Sequence, residues 1–195
     1  MSSGTAAGRD SGEPRGPKLL AYARALDDAL MSRAVRTRSP RLDRPIVALS
    51  RAADNSRLWL GLALGLAAIG GPRGRRAAGR GVAAIALASA TANGPMKLLV
   101  PRRRPPSETL AALVRTPSSS SFPSGHSASA FAFATAVGGE LPVLAPVLVP
   151  LAAIVAYSRV HTGVHYPSDV AAGLVVGVAC GTVARRIGRA PEVLR

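Results

Sequence analysis

Three short stretches hold residues whose types and spacing can do chemistry: KLLVPRRRP from Lys97 to Pro105, SSFPSGHS from Ser120 to Ser127, and SRVHTGVHYPSD from Ser158 to Asp169. Their inventory is three permanent cations (Lys97, Arg104, Arg159), two imidazoles (His126, His165), one carboxylate (Asp169) and a Ser-Gly pair (Ser124, Gly125). That set fits a phosphate. The cations supply forks and a point charge for phosphoryl oxygens, and the backbone N–H groups of Ser124, Gly125 and His126 would point at the same anion from a helix N-terminus. The four-residue spacing of His165 and Asp169 puts them on one face of a helix. There the carboxylate could hold one imidazole nitrogen and leave the other as a nucleophile, with His126 free to serve as an acid.

The elements that must position these groups are apolar. Five windows are expected to span a membrane: Leu58 to Gly71, Val82 to Val100, Ser127 to Gly139, Leu141 to Tyr157 and Val170 to Ala184. Each is shorter than the roughly 20 residues a bilayer core asks for, so flanking residues extend the helices or the bilayer thins. If every window crosses once, the three polar clusters fall on one membrane face and can meet. GPRGRRAAGR, residues 71–80, reads as an arginine-rich turn among headgroups, and 101–123 as a polar connection rich in Pro and Ser. Pro142, Pro146 and Pro150 should line one face of the fourth span and bend it. Trp59 and Tyr157 read as interfacial anchors.

The domain organisation follows. Residues 1–17 lack the apolar stretch of a signal peptide and are expected to be a disordered tail. Residues 18–57 form an amphipathic, basic region. In it Leu19, Ala23, Leu26, Leu30 and Ala34 recur at helical spacing while Lys18, Arg24, Asp27, Asp28 and Arg33 point elsewhere. That helix packs on the bundle or lies in the membrane interface. Residues 37–44 read as a linker and Ile46 to Ala53 as a second amphipathic piece. Residues 58–184 are the membrane domain, and 185–195 a basic tail.

The three clusters resemble the signature motifs of the type 2 phosphatidic acid phosphatase (PAP2) superfamily. Lys97, six residues, then Arg104-Pro105 matches the first; Pro123-Ser124-Gly125-His126 the second; Ser158-Arg159, five residues, His165, three residues, Asp169 the third. The resemblance implies an all-α, polytopic membrane bundle; the windows give it about five transmembrane helices plus an N-terminal amphipathic helix, where many members of the family have six spans. It implies that His165 attacks phosphorus, that Asp169 orients it, and that His126 protonates the leaving oxygen and then activates water. Lys97, Arg104 and Arg159 would hold the phosphoryl oxygens, with Ser124 and Gly125 completing the pocket. No cofactor and no metal are expected: no carboxylate cluster is present for magnesium, and His161 with His165 lacks the Glu of a metalloprotease helix.

Composition narrows the function classes. The chain carries 25 Lys+Arg against 10 Asp+Glu, for +15, yet is 48% hydrophobic and only 18% charged. Nucleic acid is not an expected partner, because one Trp, three Tyr and three Phe leave few stacking platforms. The single Cys180 excludes an intrachain disulfide framework and reads as a packing residue. Arg102 and Arg103 read as headgroup ligands. The expected partners are a lipid-linked phosphate substrate and membrane lipids, with a homo-oligomer left open. Among substrates, a polyprenyl-linked envelope precursor such as decaprenylphosphoryl-5-phosphoribose stands first, ahead of polyprenyl diphosphate, phosphatidic acid and phosphatidylglycerol phosphate. A lipid phosphotransferase and a noncatalytic membrane scaffold are the alternatives of other classes. The expected location is the bacterial inner membrane, with the positive-inside count favouring a cytoplasmic site.

Overall fold

A computed structural model describes residues 15–106 and 112–187, with side chains from residue 21 onward. Most of the expected tail at 1–17 and of the basic tail at 185–195 lies outside the described residues. The helices are α1 (Arg15–Arg36), α2 (Pro40–Ala52), α3 (Arg57–Ile69), α4 (Gly71–Asn93), α5 (Pro95–Leu99), α6 (Gly125–Glu140), α7 (Ala145–His161) and α8 (Pro167–Arg186). Short 3-10 turns, Asp54–Ser56 and Pro142–Leu144, precede α3 and α7. The all-α expectation holds.

The centre of the bundle is α6, packed by α4, α7 and α8. Its sequence explains its place: Ser127 to Ala134 are buried without interruption, and small residues let three helices approach it at once. Ala84, Ala88 and Ala92 of α4 meet Ala128, Ala132 and Ala136 of α6 and Cys180 and Ala184 of α8. The approach of α8 depends on glycine. A Cβ at Gly173, Gly177 or Gly181 would lie 2.5, 2.5 or 2.6 Å from the carbonyl oxygen of Ser124, Ala128 or Ala132. This four-residue glycine stripe sets α8 backbone to backbone against α6 and fixes the N-terminus of one beside that of the other.

A second cluster gathers Trp59, Ala63, Phe133, Val137, Leu148 and Val155. Trp59 is 1% exposed, its ring 5.4 Å from that of Phe133. It is a core residue and not the interfacial anchor expected from its place at a span end. Tyr157 is exposed.

Among the described residues, three helical stretches are long and apolar enough to cross a membrane: Gly71–Leu99, Pro142–His161 and Pro167–Arg186. The 13-residue α3 and 16-residue α6 coincide with the other two expected spans but are shorter. At 1.5 Å per residue they reach about 20 and 24 Å. Exposed Leu64, Val147, Val149, Ile154, Val175 and Val183 give the bundle an apolar outer surface suited to lipid.

Several local expectations are corrected. Residues 71–80 are no loop: the turn falls at Gly70–Gly71, and Arg73, Arg75, Arg76 and Arg80 lie on the first turns of α4, which has Pro at its N-terminus. Arg80 pairs with Glu140 at the end of α6. The 37–44 linker shrinks to three residues, because α2 begins at Pro40 and carries Pro45 inside it. Of the three spaced prolines only Pro150 sits in a helix interior. The face α1 presents to the bundle is Asp27, Met31 and Ala34, the last two packed on Val160, Tyr166 and Val170, while Ala23, Leu26 and Leu30 stay exposed. The charged residue wins the buried side because it has a partner there: Asp27 accepts the N–H of Ser168 at 2.9 Å, at the open end of α8.

Candidate active site

The ends of five elements converge. Lys97 lies on α5, Arg104 in the extended segment after it, His126 on the first turn of α6, Arg159 on the last turn of α7 and His165 in the α7–α8 loop. All five line one cavity of about 480 Å³, with Gly125, Asn93, Asn55, Ser56, Ser89, Ser119 and Ser129, and with apolar Leu60 and Ile85. Three permanent positive charges face the two imidazoles, and among the described residues no carboxylate lines the cavity.

The loop that carries His165 is shaped by Gly163, at φ +79°, a conformation that side-chain-bearing residues rarely take. The chain then folds back so that the N–H groups of Val164 and His165 both donate to the carbonyl of Arg159 at 3.2 Å. His165 is 3% exposed. Its Nε2 is 3.0 Å from Nη1 of Arg104, which also donates to the carbonyl of Val164 at 2.9 Å. Because a guanidinium can only donate, Nε2 must present its lone pair there, which puts the ring proton on Nδ1. Nδ1 is 3.6 Å from Oδ2 of Asp169, an ion-pair distance and longer than a hydrogen bond. Burial lowers the pKa of His165 to about 4; Asp169 opposes the fall, and the charges of Arg104 and Arg159 add to it. The imidazole is neutral at pH 7.

The pairing of His165 with Asp169 does not come from a shared helical face, as their spacing suggested. α8 starts at Pro167, so His165 precedes it and Asp169 is in its first turn. Asp169 caps the helix, accepting the N–H of Tyr166 at 2.9 Å, and it accepts the hydroxyl of Ser121 and the Nη1 of Arg102, the latter at 2.8 Å. Arg102 continues to Asp27 at 2.7 Å and lies 4.2 Å over the ring of Tyr166. Burial works against its charge, and the carboxylates of Asp27 and Asp169 more than offset this, holding its pKa above the ordinary arginine value. Arg102 is therefore part of the site's support and not a headgroup ligand. Ser121 is likewise buried behind the site.

One other expectation changes. Ser124 does not line the cavity: its N–H donates to the backbone carbonyl of Asp169 at 3.0 Å, and its hydroxyl caps α6 by accepting from Ser127. The anion-facing backbone is left to Gly125 and His126, whose first-turn N–H groups have no partner within the helix. His161 is separate from the site. It is buried, with Nε2 2.8 Å from Asp43 of α2, and its carbonyl accepts from Arg38. Among the described residues no group of three or more His, Cys, Asp or Glu side chains is placed to hold a metal ion.

Sequence reasoning missed Arg102, Ser121 and two residues of the α2–α3 region. Ser50 accepts from Nη1 of Arg159, and Asp54 Oδ1 is 2.8 Å from Nε2 of His126. The Nε of Arg159 is buried without a hydrogen-bond partner, and Nδ1 of His165, on the Asp169 side of the ring, has only the longer ion-pair contact.

The PAP2 superfamily pattern matches residues 78–191. The decaprenylphosphoryl-5-phosphoribose phosphatase of Mycobacterium tuberculosis is 45% identical over 134 residues, 67% of this chain and 71% of that protein. That of Mycolicibacterium smegmatis is 40% identical over 129 residues, 65% and 68% of the two chains. Among solved structures, the PAP2-type phosphatidylglycerolphosphate phosphatase of Bacillus subtilis superposes with a TM-score of 0.68 at 23% identity, covering 89% of this chain and 90% of that one. LpxE of Aquifex aeolicus gives 0.65 at 25% identity, covering 82% and 94%. With the pattern covering more than half of its length, and with relatives at this identity named as phosphatases, the chain belongs to the PAP2 superfamily, as a membrane phosphatase.

Proposed function

We propose that this chain is a metal-independent lipid phosphatase that removes the 5-phosphate of decaprenylphosphoryl-5-phosphoribose through a phosphohistidine at His165. The observation that carries the chemistry is the contact of Arg104 with Nε2 of His165. It aims a neutral imidazole lone pair at the group that would hold a phosphoryl oxygen. Nε2 attacks phosphorus, the bond from phosphorus to the ribose oxygen breaks, and His126 delivers a proton to that oxygen. Water then gives a proton to His126 and attacks phosphorus; the P–N bond breaks, and phosphate leaves with His165 neutral again. Lys97, Arg104 and Arg159 take up charge on the three peripheral oxygens, the larger part of catalysis when the transition state is loose.

The choice of lipid is supported by the two mycobacterial relatives. It is also supported by the cavity wall, where apolar Leu60, 43% exposed, offers an isoprenoid chain a surface to run along. The basic α2 region lies at the site's end of the bundle, through Ser50, which supports a cytoplasmic site in a bacterial inner membrane crossed five times.

The test is phosphate release in detergent with excess chelator from decaprenylphosphoryl-5-phosphoribose, a polyprenyl diphosphate and phosphatidic acid. The first is expected to be the preferred substrate of the wild type, with no release by His165→Ala. Preference for another of the three overturns the lipid assignment, and equal release by His165→Ala overturns the mechanism.

A further inference from the structure

Asp54 stands outside the three motifs and outside the residues that the family pattern covers. It opens the turn Asp54–Ser56 between α2 and α3, and its Oδ1 is 2.8 Å from Nε2 of His126 and 4.0 Å from Nη1 of Arg159. The turn is held in an uncommon shape: Asn55 and Ser56 have φ of +50° and +60°, left-handed values that non-glycine residues adopt at a cost. It is clamped on both sides, by buried Ala53 before it and by Trp59 after it. Strain kept by tight packing, and aimed at a histidine of the site, points to a positional requirement on the carboxylate.

The charges around His126 say what that requirement is. Lys97 from α5, Arg104 from the extended segment, Arg159 from α7 and His165 from the α7–α8 loop line the same cavity. The first three are cationic, and each disfavours a proton on His126. A general acid must carry its proton before the leaving oxygen departs. Among the described residues, Asp54 is the carboxylate in hydrogen-bond contact with this ring.

We propose that Asp54 is a positioning residue for His126: it accepts the Nε2–H, fixes the ring's orientation, and opposes the loss of the ring's proton so that Nδ1 can protonate the leaving oxygen. This rests on the reading of His126 as the acid. Nδ1 gives its proton to the ester oxygen as the P–O bond breaks and recovers one from the attacking water.

The experiment compares full-length wild type, Asp54→Asn, Asp54→Glu and His165→Ala in detergent. Two substrates are used: the lipid phosphate, and its analogue with sulfur in place of the bridging ester oxygen, whose thiolate leaves without protonation. Asp54→Asn is expected to lose about 10²-fold in kcat on the oxygen ester with KM little changed. The high-pH limb of its kcat profile moves to lower pH, Asp54→Glu recovers part of the rate, and the loss nearly vanishes on the sulfur analogue. A kcat for Asp54→Asn within about twofold of wild type, or an equal loss on both substrates, overturns the proposal. Turnover of either substrate by His165→Ala would instead overturn the phosphohistidine reading, which keeps the two failures apart.

Discussion

Nη1 of Arg102 lies 2.8 Å from Oδ1 of Asp169, the fully buried carboxylate behind His165. The same guanidinium reaches Asp27 on α1, so the N-terminal helix is tied through one side chain to the group that orients the nucleophile. Arg102→Ala leaves Asp169 buried with one partner fewer. It should cost about 2 kcal/mol of stability, the range for a hydrogen bond to a charged group, and about tenfold in kcat as the carboxylate loses its fixed position. Thermal unfolding in detergent and steady-state kinetics check both; an unchanged melting temperature and kcat would show that the contact is idle.

Arg104 and Lys97 are both cations of the cavity, but only Arg104 makes a fork of contacts, to His165, Val164, Ser119 and Ser120. Lys97 makes one, to Ser119 at 3.2 Å. Arg104→Lys keeps the charge and loses the geometry, and should lower kcat/KM by about 10²-fold, while Lys97→Ala should act mainly on KM. Full kinetics of the two variants decide whether the fork or the charge matters.

With its pKa drawn down to about 4 by burial, His165 is unprotonated across the working range. The unfolded chain would take up a proton near pH 6.5, so this group favours the folded state fully above pH 6.5, and that contribution is lost as pH falls toward 4. Histidine NMR of the free enzyme in detergent, with His165→Gln to assign the signal, should show a midpoint near 4. A midpoint at 6.5 would mean that the pocket does not exclude the charged form.

Two helix glycines should respond in opposite ways. A Cβ at Gly177 meets the carbonyl of Ala128 at 2.5 Å, so Gly177→Val must push α8 off α6 and is expected to cost about 3 kcal/mol or more and to remove activity. Around Gly61 nothing lies within 4 Å, and Gly61→Ala should stabilise by about 0.5–1 kcal/mol through helix propensity. Melting temperatures of the pair are the check.

The motifs predicted the convergence of Lys97, Arg104, His126, Arg159 and His165, because chemistry-bearing residues at the ends of apolar segments have few ways to be placed. The support around them was less legible. Arg102 read as one more arginine in a basic run, since its partners Asp27 and Asp169 are far away in sequence. Leu26 and Leu30 outvoted Asp27 in the periodicity of α1, although the partner at the start of α8 decided which face was buried. One signal was present: the chain has only 10 Asp+Glu. Asp27, Asp43, Asp54 and Asp169 each hold a buried cation or histidine or the start of a helix, so scarcity marked them as used. The Gly173, Gly177, Gly181 stripe was also readable, and it explains how the starts of α6 and α8 come together.

The central claim is a covalent phosphohistidine at His165. Enzyme mixed briefly with substrate labelled with ³²P in the 5-phosphate, denatured in alkali and digested, should yield one labelled peptide containing His165. The label should be stable to base and lost in acid, absent from His165→Ala, and more abundant in His126→Ala if water attack is slowed more than phosphoryl transfer. Label on another residue, or full turnover without label on His165, would contradict the account.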